Sequence, residues 1–143
     1  MKYLGIDYGA KHVGLALSDS GGNVAMPHSV VPNDGFLFST IVDLVRDEDV
    51  EKIIIGESHN LDMGHNEIQF AINQFRQQLE QDLDLPVEYM NELFSSRQAK
   101  WGVEHALRIN PRNLDKRNLH KKQRRIDDRA ATIILQSYLD SQT

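Results

Sequence analysis

Cysteine is absent from the 143 residues, which excludes disulfides and thiolate metal sites and makes the reducing cytosol the expected compartment. Apolar runs are only a few residues long, far below the ~20 needed to span a bilayer, so no membrane partner is expected. The amino terminus, MKYLGIDYG, lacks the apolar stretch of a secretory signal, because an acidic residue and two glycines interrupt it. There are four prolines and one tryptophan, and no internal repeat or low-complexity tract. At 16.3 kDa the chain is expected to form one domain over residues 1–143.

Net charge is -5, which on an even distribution would argue against a polyanionic partner. The distribution is uneven. Between Arg97 and Arg129 eleven Lys or Arg face four Asp or Glu, a local balance of +7, and the remainder of the chain carries -12. Such a segment is either a footprint for nucleic acid or a solvated helix face with a loop.

Hydrophobic periodicity predicts three short strands, Tyr3 to Tyr8, His12 to Ser18 and Val24 to Val31, joined by turns short enough for an antiparallel meander. Pro27 cannot donate to a ladder, which places the third strand at an edge or makes it irregular there. Asn33 or Asp34 is expected to cap a helix carrying Leu37, Ile41, Leu44 and Val45. Ile53 to Gly56 reads as a buried strand, Asn66 to Leu83 as a helix stopped by Pro86, and Val87 to Asn91 as a fifth strand. A helix from Ser95 through Leu107 follows, then a basic loop over 110–123 that is expected to be mobile, and a closing helix from Arg125 to Asp140. This order is that of an α/β domain of the RNase H-like fold. Its mixed five-stranded sheet would have three antiparallel amino-terminal strands, then two further strands, with helices packed on it.

Three carboxylates stand out. Asp7 ends the first strand and shares a face with Gly5, whose missing side chain leaves room beside it. A turn residue bonding nearby backbone N–H groups is the alternative reading. Glu92 follows the fifth strand directly. Asp127 falls within the apolar stripe of the closing helix: with Asp127 at zero, Ala131 stands at about 40°, Ala130 at about 300°, Ile134 at about 340° and Tyr138 at about 20°. Asp128, at about 100°, lies at the flank. A carboxylate facing a sheet needs a cation, a set of donors or a raised pKa, although Asp127 could also simply favour the helix amino terminus through its dipole. Oxygen ligands without His or Cys suit Mg²⁺ or Mn²⁺, and ions held by Asp7, Glu92 and Asp127 would serve phosphodiester hydrolysis. His59 and His65, six residues apart on a loop, offer no ligand geometry of their own.

Four segments carry a family resemblance. LGIDYGAKHVGLALSD, IIIGESHNLDMG, PVEYMNELFSSRQA and IDDRAATIILQSYLD resemble, in order and spacing, the signatures of the YqgF family of RNase H-like proteins. That family is described as Holliday-junction-resolvase-like and as pre-16S rRNA nucleases. The resemblance implies that Asp7, Glu92 and Asp127 are catalytic metal ligands, with Lys11 matching the family's basic residue after the first strand. It implies a nuclease acting on structured RNA in pre-16S rRNA 5′-end processing and ribosome biogenesis, and the +7 segment would then supply some of Arg112, Lys116, Arg117, Lys121 and Lys122 to hold phosphates beside Lys11. A DNA junction resolvase and a weakly active nucleic-acid-binding protein are the alternatives, and the oligomeric state is left between monomer and weak dimer. The sequence departs from the family at Asn91 and Leu93, which replace Asp and Arg, and at His12, which replaces Arg. It departs also at Glu57 and Ser58, which replace an apolar residue and Pro, and at Met63, which interrupts the Asp-Gly pairing. An actin-like ATPase, whose phosphate loop the Asp7-Tyr8-Gly9 turn resembles, would need a second lobe that this length does not provide.

Overall fold

The computed structural model describes residues 1–57, 65–90 and 116–142, and of residues 57, 65–66 and 116–128 it describes the backbone path alone. The elements are β1 (Tyr3–Tyr8), β2 (His12–Ser18), β3 (Ala25–Pro32), α1 (Leu37–Asp47), β4 (Lys52–Glu57), α2 (His65–Leu83), β5 (Val87–Tyr89) and α3 (Lys116–Ser141). The five strands form one mixed sheet in the order β3-β2-β1-β4-β5. β1–β2 and β2–β3 are antiparallel, β1–β4 and β4–β5 parallel. This is the expected RNase H-like α/β arrangement.

Strand alternation divides the core into two layers. Leu4, Ile6 and Tyr8 of β1 face one way with Val13, Leu15, Ile53 and Ile55. Against them pack Leu37, Ile41 and Val45 of α1 and Ile68, Ile72, Phe75 and Leu79 of α2. On the opposite face Ala16, Ala25 and Ile54 pack against Ala131, Ile134, Leu135, Tyr138 and Leu139 of α3. β3 is an edge strand, and its register slips beside Pro27, where Leu15 pairs with Ser29 and Ala16 with Pro27, leaving His28 as the extra residue.

Two local expectations are corrected. Residues 116–123, expected in a loop, belong to α3. Lysine, arginine and glutamine are good helix formers, so backbone propensity favours a helix there without an apolar period to announce it. The remainder of that expected loop, 110–115 with Arg112, and the predicted Ser95 to Leu107 helix lie outside the described residues. Neither Asn33 nor Asp34 is the cap of α1: Phe36 holds that position without a side-chain cap bond, and Asp34 Oδ1 instead accepts from the Phe36 N–H at 2.9 Å in the turn before the helix. α2 ends at Leu83, as expected, and Asp84 just after it adopts a left-handed φ of 53°.

Candidate active site

Asp7 is buried, with 2 % of its surface exposed. Its cross-strand partners are Gly14 on β2 and Gly56 on β4, so neither neighbouring strand sets a side chain directly beside the carboxylate. Tyr8, the next residue, turns to the other face, where its ring meets Phe75 at 5.4 Å between centroids.

The turn after Asp7 is tied down. Asn33, leaving β3, donates from its side chain to the Gly9 carbonyl at 2.8 Å, and its backbone N–H donates to the Lys11 carbonyl at 2.8 Å. Asn33 therefore fixes the loop carrying the exposed Lys11, a role the sequence did not reveal because an Asn after Pro32 reads equally well as a helix cap.

α3 lies across the face of the sheet that Asp7 shares with Gly5. Its Tyr138 ring packs on Tyr3 at 5.8 Å, whereas two residues further along β1 the helix presents Leu135 and Ala131 to Gly5. The numbers fall along the helix as they rise along the strand, so α3 runs antiparallel to β1. The contact at Gly5 is close: a Cβ there would stand 2.7 Å from Leu135 Cβ and 3.1 Å from the Ala131 carbonyl oxygen. Gly56 is similar, with Ile134 Cδ1 2.5 Å from where a Cβ would be. Both glycines are needed for a close helix–sheet approach.

Two devices fix α3 at its far end. Gln136 accepts from the Ala25 N–H at 2.8 Å and donates to the Asn23 carbonyl at 3.1 Å. Lys52 donates to the Tyr138 hydroxyl at 2.6 Å and lies 3.2 Å from Glu88. The hydrogen bond to Tyr138 holds the Lys52 pKa above its ordinary value. Tyr138's hydroxyl, followed by Lys52, holds Glu88 below its usual range, while burial pushes the Tyr138 phenol up.

Of the three predicted ligands, Asp7 is seen in full. Asp127 is seen as a backbone position on α3, one turn before Ala131. Among the described side chains of that helix, Ala131, Ile134, Leu135, Ser137, Tyr138 and Leu139 are buried. On a helical wheel with position 127 at zero they cover an arc from roughly 280° to 120°, so position 127 falls nearer its middle and position 128 nearer its edge. Glu92 lies outside the described residues. β5 does lead toward the Asp7 edge, since Met90 N–H donates to the carbonyl of Ile55, the residue before Gly56, at 2.8 Å. Lys116, Arg117, Lys121 and Lys122 stand on the first turns of α3. Among the described residues no three His, Asp or Glu side chains gather as a metal-holding group, and no helix is long and apolar enough to cross a membrane.

The fold is shared with known resolvases. Thermus thermophilus RuvC in complex with Holliday junction substrate superposes with a TM-score of 0.62 at 15% identity, over 99% of this chain and 95% of that one. The fowlpox virus Holliday junction resolvase gives 0.57 at 16% identity over the whole of both chains. Closer in sequence are proteins named "Putative pre-16S rRNA nuclease". The one from Streptococcus mutans is 32% identical over 144 residues, 98% of each chain, and that from Bacteroides fragilis is 35% identical over 145 residues, 98% of this chain and 96% of its own. The model of the family RuvX, Holliday junction resolvase, matches residues 1–141. With nearly every residue inside that match, the chain belongs to the RuvX family.

Proposed function

We propose that this protein is a divalent-metal-dependent nuclease that hydrolyses phosphodiester bonds in structured RNA, its substrate being the 5′ precursor region of 16S rRNA during ribosome biogenesis in the cytoplasm. The observation that carries the reading is the burial of Asp7 at the carboxyl edge of the sheet, on the face covered by the helix that bears Asp127. Extending the antiparallel run of α3 by one turn from Ala131 brings position 127 toward Asp7, and β5 heads to the same edge just before Glu92. The catalytic and metal-binding set proposed is Asp7, Glu92 and Asp127.

The fit to a metal rests on donor chemistry. A carboxylate as buried as Asp7 is stabilised by a nearby cation, and an all-oxygen set suits Mg²⁺ or Mn²⁺. Bound there, such an ion would supply activation of water and charge stabilisation at the leaving oxygen. The protein's part is to hold the carboxylates in place through the close packing of α3 at Gly5 and Gly56. Lys11, fixed by Asn33, is set to hold a phosphate at the turn after Asp7.

The first turns of α3 supply the electrostatic footprint. From Lys116 to Arg125 there are six cations and no acid. Cations crowd the positive end of the helix dipole, which is unfavourable for an isolated helix and favourable once a polyanion lies against it. Lys116, Arg117, Lys121 and Lys122, with Arg112 just before the helix, are the proposed phosphate contacts.

A DNA junction resolvase is the second reading, favoured by the description of the RuvX family and by the resolvase fold. Assays of a 16S precursor transcript, duplex DNA and a four-way junction in Mg²⁺, Mn²⁺ or EDTA separate the two. Metal-dependent cleavage of the transcript, lost in Asp7→Asn, is expected, and preference for the four-way junction would establish the resolvase. Binding without cleavage in any metal would instead make the protein a nucleic-acid-binding module. Cleavage in EDTA, or full activity in Asp7→Asn, would defeat the nuclease mechanism.

A further inference from the structure

Five large apolar side chains are well exposed among the described residues: Met1, Val24, Met26, Phe36 and Phe70. Single exposed apolar residues are ordinary. Their distribution here is not random, because the aliphatic ones lie at one end of the sheet and the aromatic ones at the other. Met26 pairs with Leu17 at the end of β2, beside Val24, and the Met1 ammonium donates to the Ser20 carbonyl in the adjoining turn. That end is remote from Asp7.

Phe36 and Phe70 are at the Asp7 edge. Phe36 follows Asn33 by three residues, and Asn33 is bound to Gly9 and Lys11 in the turn after Asp7. Phe70 lies five residues before Phe75, whose ring meets Tyr8. Five residues are about 7.5 Å of helix rise, and α2 enters from β4 at that edge, so Phe70 stands beyond the end of β1. Neither ring belongs to the apolar stripe of its helix, which in α1 is Leu37, Ile41 and Val45 and in α2 is Ile68, Ile72, Phe75 and Leu79. Phe36 is 75% and Phe70 65% exposed, and among the described residues neither stacks on another ring.

We propose that Phe36 and Phe70 stack on unpaired bases of the bound nucleic acid, flanking the carboxylate edge where Lys11 holds the backbone. The proposal rests on the nuclease reading above and adds to it a preference for single-stranded segments beside the cleaved bond. A phenylalanine face accepts any base, so the contact strengthens binding without reading sequence. A fully paired helix keeps its bases stacked on one another and offers no face to these rings.

The test is equilibrium binding, in EDTA to prevent cleavage, of a fluorescein-labelled twelve-nucleotide single-stranded RNA and of the same strand in a perfect duplex. Wild type is compared with Phe36→Ala, Phe70→Ala, the Leu variants and the Trp variants, after thermal melts show that each is folded. Each Ala and Leu variant is expected to bind the single strand roughly tenfold more weakly, with duplex binding changed less than about twofold. The Trp variants are expected to retain affinity, because the indole stacks as well. Single-strand affinities within about twofold of wild type in both Ala variants would overturn the proposal. So would Leu variants as good as Phe, or equal losses on duplex. Wild type that binds neither RNA would overturn it together with the nuclease reading, whereas tight wild-type binding unaffected by the substitutions defeats the stacking alone.

Discussion

Gly5 and Leu135 are in direct apposition: the backbone of β1 and the side chain of α3 are so close that a Cβ at Gly5 would come 2.7 Å from Leu135 Cβ. The Ala131 carbonyl on the other side, at 3.1 Å, is helix backbone and does not move independently. Gly5→Ala must therefore displace α3 as a body. The expected cost is about 1–3 kcal/mol in denaturant unfolding. Because α3 bears Asp127, cleavage should fall by more than the unfolded fraction explains. Unchanged stability would show that the helix can be lifted freely.

Lys52, Tyr138 and Glu88 couple the same helix to the sheet, and their titration gives the fold an alkaline limit. Folding raises the proton affinity of Tyr138 and Lys52, so their contribution is complete below about pH 10 and is lost as pH climbs through the raised folded values. Glu88 is shifted down, so its contribution is present above about pH 4.3 and is lost as pH falls through its lowered folded value. Melting curves from pH 7 to 11 should show an alkaline decline that is shallower in Tyr138→Phe. Parallel declines in the two proteins would assign the effect elsewhere.

Asp127 and Asp128 are adjacent, and the nuclease reading requires only the first. Asp127→Asn should lower metal-dependent cleavage by 10²-fold or more, in the range expected for a group central to the chemistry. Asp128→Asn, nearer the edge of the buried arc, should retain activity within a few-fold. Equal losses in both would mean that the pair acts together, and loss confined to Asp128 would reverse the assignment.

Lys121 and Lys122 are proposed to neutralise phosphates, and each contact contributes to the salt dependence of binding. Replacing both by Gln should reduce the slope of log affinity against log salt by roughly 1.4–1.8. An unchanged slope would remove these turns of α3 from the interface.

Much of the fold is legible in the sequence because the alternation in β1 and β2 and the apolar stripes of α1 and α2 are strong local signals. The apolar stripe on which position 127 falls is legible too, since Ala131, Ile134 and Tyr138, which define it in the sequence, are buried on α3. The beginning of α3 was not, because Lys116 to Arg125 form helix without any apolar repeat. Nor were the contacts made across the sheet. Nothing local marks Gly56 as the residue that receives Ile134, Tyr138 as the acceptor for Lys52, or Asn33 as the clamp on Gly9. These depend on pairings of residues far apart in the chain, which periodicity does not encode.

The central claim is that Asp7, Glu92 and Asp127 share a divalent ion. Crystals grown with Mn²⁺ and measured for its anomalous signal test it most directly. A peak bonded to oxygens of Asp7, Glu92 and Asp127, and absent from Asp7→Asn crystals, is the predicted result. Mn²⁺ bound away from Asp7, or held by Asp7 with neither Glu92 nor Asp127 among its ligands, would contradict it.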